Sequence, residues 1–204
     1  LFRSERPSAS VAEAIKAGCQ GIISFGICGG LSPDLKPGDC IIARSVVMND
    51  RRLESHPEWS QRLLEAIPGS IHADIAGVTS PVTTPEDKRS MNLATGAVAV
   101  DMESFLSIDA AVTHDLPFAA VRVVADPSHR ALPPAAIGTL LADGTPDISA
   151  VMRSVLAQPS QLSSLVRLAL DARAARATLT RLRSRIGSGF GLHDLADAMF
   201  TPAE

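Results

Sequence analysis

Two carboxylates, Glu103 and Asp126, stand 23 residues apart, each just after an apolar run: Ala97 to Val100, then Phe118 to Ala125. Short runs of this kind read as buried strands of a parallel sheet. Between them, Ser104 to His114 reads as a crossover helix, capped by Ser104 and closed by Asp115-Leu116-Pro117. Such a βαβ unit would bring both acids to the crevice at the carboxyl ends of its strands, converging on one ligand. One carboxylate can accept both hydrogens of a vicinal diol, which a ribose offers. The other, partly desolvated, can hold a proton for a leaving group. Met102 supplies a soft apolar surface for a sugar. The plainer alternative is that both acids only cap helices after their strands.

Other elements must position these groups. Gly21-Ile-Ile-Ser-Phe25 reads as a buried strand, and Gly26-Ile-Cys-Gly-Gly30 as a tight turn whose glycines let backbone N–H groups approach a ligand. Leu31 to Lys36 and Pro37-Gly38-Asp39 then turn into a strand over Cys40 to Ala43. Asn49 to Glu65 is polar, then partly helical, and reads as an insertion or lid near the site. Val78 to Pro85 reads as a strand with a Thr/Ser-rich exit.

Gly26-x-x-Gly29-Gly30-Leu31, Pro37-Gly38-Asp39, Val100-x-Met102-Glu103 and Arg122-x-x-x-Asp126 together resemble the nucleoside phosphorylase and nucleosidase family, of the purine and uridine phosphorylase type. The match runs from about Ala12 to Asp126. It implies a three-layer α/β fold with a central mixed or mostly parallel sheet, and cleavage of an N-glycosidic bond between ribose and a purine. It implies that Glu103 holds the ribose hydroxyls, that Met102 packs on the sugar and that Asp126 protonates the departing purine at N7. Cys28 and Gly29 would line the base site. Arg122, inside a strand, is expected to partner a buried carboxylate. No cofactor is implied, and inorganic phosphate is a candidate co-substrate.

A narrower resemblance is to the hopanoid-associated phosphorylases. It rests on Ser24-Phe25-Gly26, Leu31-x-Pro33-x-Leu35-x-Pro37-Gly38-Asp39, Leu132-Pro133-Pro134-Ala135 and the helical tail from Asp147 to Leu182. It implies release of adenine from adenosylhopane. The alternatives are a general purine nucleoside or methylthioadenosine phosphorylase or nucleosidase, and a non-catalytic nucleoside-binding relative. Two departures stand out. Ile27 occupies a position where the family carries a Ser or Thr hydroxyl. The family's further N-terminal strand, with its glycine loop, is expected and not found, so hydrolysis and phosphorolysis are not separated.

Composition sets the frame. A chain of 204 residues with 46% hydrophobic content suits one α/β domain, expected over 1–150. Cysteines 19, 28 and 40 form no CxxC pair and fit a reducing, cytoplasmic setting. Histidines 56, 72, 114, 129 and 193 show no metal-ligand spacing, and no metal is expected. His129, following Asp126-Pro127-Ser128, is expected on a mobile loop and idle.

Residues 151 to 186 hold seven arginines and one acid, Asp171, against a net charge of −3 for the whole chain. Leu162, Leu165, Val166, Ala169 and Leu170 recur at helical spacing, as do Ala172, Ala175 and Leu179. A basic amphipathic helical extension is expected, packed on the sheet with its arginines in solvent. Peripheral contact with an anionic membrane through 161–185 is the sharper reading. Residues 187–204 are expected as a flexible tail. Nucleic-acid binding is not expected, since aromatics total 3%. A homo-oligomer acting on a small nucleoside, free or lipid-linked, is the expected assembly.

Overall fold

The computed structural model describes residues 5–133, 162–187 and 189–192. The expected tail and the 151–161 part of the expected extension lie largely outside these residues. Among the described residues there are six strands: β1 (Ile22–Gly30), β2 (Cys40–Met48), β3 (Arg51–Glu54), β4 (Ile71–Gly77), β5 (Ala99–Asp101) and β6 (Phe118–Asp126). The helices among the described residues are α1 (Glu5–Lys16), α2 (Pro57–Ala66), α3 (Pro85–Thr95), α4 (Ser104–Thr113) and α5 (Leu162–Ile186).

The sheet is mixed, in the order β3-β2-β4-β5-β1-β6. It also closes on itself, because Cys40 to Ile42 of β2 pair antiparallel with Val121 to Val123 of β6. Every residue of β6 before Asp126 is buried, which is why this strand reads as a continuous apolar run. Its side chains alternate between two cores. Phe118, Ala120 and Val124 join Ile41, Ile75, Ile108 and α1 on one face. Ala119, Val121, Val123 and Ala125 meet Trp59 and Leu63 of α2 and Ala175 and Leu182 of α5 on the other. The three-layer α/β arrangement follows from this division.

Four expectations are corrected. β5 and β6 do not run parallel: both flank β1, with β5 antiparallel and β6 parallel to it. β5 has only three residues, and an apolar run that short records burial but not direction. Gly26 to Gly30 is the second half of β1 rather than a turn after it. The strand expected over Val78 to Pro85 lies earlier, at Ile71–Gly77, hidden by His72 and the buried Asp74. The stretch from Asn49 to Glu65 is no lid. It forms β3 and α2, and Trp59 and Leu63, each 1% exposed, fasten α2 to the core.

α5 packs through its C-terminal half. Ala175, Leu179, Leu182 and Ile186, spaced four, three and four residues apart, enter the α2-side core. Leu162, Val166 and Leu170, in its first half, are exposed.

Candidate active site

The second half of β1 is the floor between the two expected acids. Gly29 pairs with Val100 of β5 on one side and with Asp126 of β6 on the other. A register shift between Cys28 and Gly29 lets both neighbours meet there. A Cβ on Gly29 would lie 3.2 Å from Val100 Cγ1 and 3.7 Å from Asp126 Oδ2, so the missing side chain permits this approach. Gly26 has a different reason: a Cβ there would strike the Arg122 guanidinium. Cys28 turns its side chain into the core beside Leu35 and Val124, and burial pushes its thiol far up. Only its backbone is left to line an open site. Ile27 points outward and is 42% exposed.

Glu103 lies on the β5 flank. It is the N-cap residue of α4, but its side chain makes no capping bond. The expected cap, Ser104, is the first helical residue instead. Asp101 does the capping, accepting from the Ser104 N–H at 3.2 Å and from its hydroxyl at 2.5 Å. Asp101 also pairs with Arg122, both being buried. Arg122 donates onward to Ser24 Oγ at 2.6 Å and to Ser104 Oγ at 3.0 Å. Glu103 Oε2 sits 3.6 Å from Arg122 Nη2, with its side chain 37% exposed. Burial pushes its carboxyl up, Arg122 pulls it down and Asp101 pushes it up again. Met102, between Asp101 and Glu103, is half-buried.

Asp126 ends β6 on the other flank, past an irregularity at Ala125 that brings it level with Gly29. Four residues separate it from Arg122, on the order of 13 Å along the strand. Glu103 and Asp126 therefore bracket the end of β1 from opposite sides, not as neighbours at matching strand ends. Asp126 Oδ2 accepts from Lys88 Nζ at 2.6 Å. Lys88 was not foreseen. It falls in the polar stretch Thr84-Pro-Glu-Asp-Lys88, which carries an ordinary helix start: Thr84 Oγ1 accepts from the Asp87 N–H at 3.1 Å and Pro85 takes the first turn. Nothing local distinguishes this lysine from a solvated one. Burial pushes the Asp126 carboxyl up, although Lys88 pulls it down; Asp171 pushes it up and Arg130 pulls it down.

A cleft of about 600 Å³ opens beside α3, lined by Val47, Met48, Gly77, Val82, Asp87 and Met91 among others. None of the five expected site residues lines it. Among the described residues no cluster of His, Cys, Asp and Glu could hold a metal. His129 is exposed, and His56 serves as the N-cap of α2.

The family model described as the phosphorylase superfamily matches residues 6–157. The chain belongs to the phosphorylase superfamily. No curated protein sequence matches this superfamily member significantly. Solved structures share its fold. The futalosine hydrolase of Helicobacter pylori strain 26695 matches with a TM-score of 0.55 at 19% identity, over 59% of this chain and 63% of that one. The S-adenosylhomocysteine nucleosidase of Streptococcus pyogenes, in complex with 5-methylthiotubericidin, matches at 0.56 and 18%, over 81% and 73%. The Helicobacter pylori 5′-methylthioadenosine/S-adenosylhomocysteine nucleosidase with butyl-thio-DADMe-Immucillin-A matches at 0.58 and 15%, over 88% and 75%. The phosphorylase-superfamily chain thus spans less than two thirds of the length of the futalosine hydrolase.

No helix among the described residues is long and apolar enough to cross a membrane.

Proposed function

We propose that this chain cleaves the N-glycosidic bond of a purine nucleoside, with Glu103 holding the ribose diol and Asp126 protonating the purine at N7. The observation that carries the reading is the placing of two carboxyls, both pushed up by burial, on opposite flanks of the glycine-rich end of β1. Met102 would pack under the sugar, and the backbone at Cys28 and Gly29 would line the base. As the bond from N9 to C1′ breaks, its electrons pass into the purine and N7 takes the Asp126 proton. Water or inorganic phosphate then captures C1′. No cofactor enters this chemistry.

The substrate we propose is adenosylhopane, with adenine as the released base. The resemblance through Leu31 to Asp39 and Leu132 to Ala135 supports it. So does the first half of α5, where exposed Leu162, Val166 and Leu170 stand among exposed arginines, as a helix resting on an anionic bilayer requires. In this reading the protein works in the cytoplasm, at the inner-membrane surface, as a homo-oligomer.

The test is release of free adenine from adenosylhopane in liposomes and from soluble adenosine and methylthioadenosine, with and without phosphate. Asp126→Asn should keep nucleoside binding and lose roughly 10²–10⁴-fold in rate. Near-normal turnover by that variant would remove Asp126 as the acid. Preference for the soluble nucleosides, with no binding to anionic liposomes, would reduce the reading to a general purine nucleosidase or phosphorylase. Binding with no release from any of them would leave a nucleoside-binding protein.

A further inference from the structure

Lys88 is the one residue of α3 that is buried, and its side chain is 0% exposed. Its ammonium has three donors and spends all of them: on Asp126 Oδ2 at 2.6 Å, on the Arg130 carbonyl at 2.9 Å and on the Pro127 carbonyl at 3.1 Å. The lysine therefore grips the end of β6 and the turn that follows it. Burying an ammonium is costly, and an apolar side chain of similar volume would anchor a helix at least as well. A cation in this place calls for a reason beyond packing.

We propose that Lys88 is the positioning residue that governs when Asp126 releases its proton. The proposal rests on Asp126 being the general acid, as argued above. When the proton passes from Asp126 to N7, a carboxylate is left in a half-buried site, and the ammonium 2.6 Å away stabilises it. The carboxyl regains its proton from solvent once the purine has left. Other charged and titratable groups face Asp126 as well. Arg130 follows β6, Asp171 comes from α5 and the buried Cys28 thiol comes from β1. Arg130 and Asp171 pair with each other, so their effects on Asp126 oppose. Lys88 is left as the decisive neighbour. Its two carbonyl bonds hold the 127–130 turn, and so the Asp126 carboxyl keeps one orientation.

The experiment is the pH profile of kcat/KM for adenine release from adenosine, measured for the unmodified protein, Lys88→Met, Lys88→Arg and Asp126→Asn. Without the ammonium Asp126 keeps its proton to higher pH. The alkaline limb in Lys88→Met should therefore move upward by about 1–3 pH units. The plateau of kcat should fall about tenfold or more, since a weaker acid transfers its proton less readily. KM should change little. Lys88→Arg keeps the charge and should return the limb toward its original position. In the Asp126→Asn background, adding Lys88→Met should cost no further rate. Should Lys88→Met fail to fold, Lys88→Gln carries the same expectation, since it keeps donors and drops the charge. An unmoved limb in the neutral variants, with Asp126→Asn crippled, overturns the role of Lys88 alone. An unimpaired Asp126→Asn overturns the general-acid reading and this proposal with it.

Discussion

Arg122 and Asp101 form an ion pair with both side chains sealed from solvent, 3% and 1% exposed. The pair ties three elements together: Arg122 is inside β6, Asp101 ends β5, and Ser104, bonded to both, opens α4. It also supplies the positive charge nearest to Glu103 in this network. Arg122→Met should leave Asp101 buried without its counter-charge. A loss of about 3–5 kcal/mol is expected, read from urea denaturation midpoints at neutral pH. A loss under about 1 kcal/mol would mean that water reaches Asp101 when the guanidinium is gone.

Glu103→Gln should behave differently from Asp126→Asn. A glutamine can accept only one of the two diol hydrogens well, and the bonds to a charged acceptor are the stronger ones, about 1.5–3 kcal/mol. Both KM and kcat should suffer, together by roughly 10–150-fold in kcat/KM. The pH profile should change as well. Glu103 must be ionised to hold the diol, and burial raises its carboxyl against the pull of Arg122, with Asp101 adding to the rise. Activity should therefore climb with pH on the acid side as Glu103 loses its proton. Steady-state kinetics from pH 4 to 9 would show that limb vanish in Glu103→Gln. A limb that persists would belong to another group.

Asp74 governs acid stability through a different route. It is 4% exposed and lies between Arg44, at 2.9 Å, and Arg52. Burial alone would raise its carboxyl, but hydrogen bonds from Arg44, Arg52 and Ser45 outweigh that and hold it down at about 2. The folded value is below the unfolded one, near 3.8. The stabilisation is thus fully present above about pH 4 and is lost as pH falls through about 2. Asp74→Asn should flatten this part of the stability curve, measured by urea denaturation between pH 2 and 6. An unchanged acid limb would place the titrating carboxylate elsewhere.

The two acids and the methionine can be proposed from sequence because their residue types carry chemistry at any depth, and the two acids lie on opposite flanks of β1. Arg122 was legible as a structural partner because a cation inside an apolar strand needs a counter-charge. Direction was not legible: Ala99 to Asp101 and Phe118 to Asp126 both record burial, yet they run opposite ways around β1. Glycine was misread where its purpose lies across the sheet. Gly26 makes room for a guanidinium 96 positions later in the chain, not for a ligand. β4 escaped notice because Asp74 interrupts it, and the arginines that make its burial tolerable come from β2 and β3. Lys88 escaped for a related reason. Its burial is conferred by β6 and the turn after it, and no other residue of its own helix is buried.

Closure of β2 onto β6 leaves β3 as the strand with an open flank among the described residues. An open flank is a row of main-chain donors and acceptors, the usual starting point for one chain to extend the sheet of another. Here it is four residues long and reads Arg51-Arg52-Leu53-Glu54. Arg51 is further occupied, bonded to Asp109 at 2.6 Å and lying 5.2 Å over the Phe105 ring. So short and ionic a rim resists strand addition. Fibre-like aggregation through this edge is thereby discouraged, and any association between copies falls to side-chain surfaces rather than to main-chain pairing.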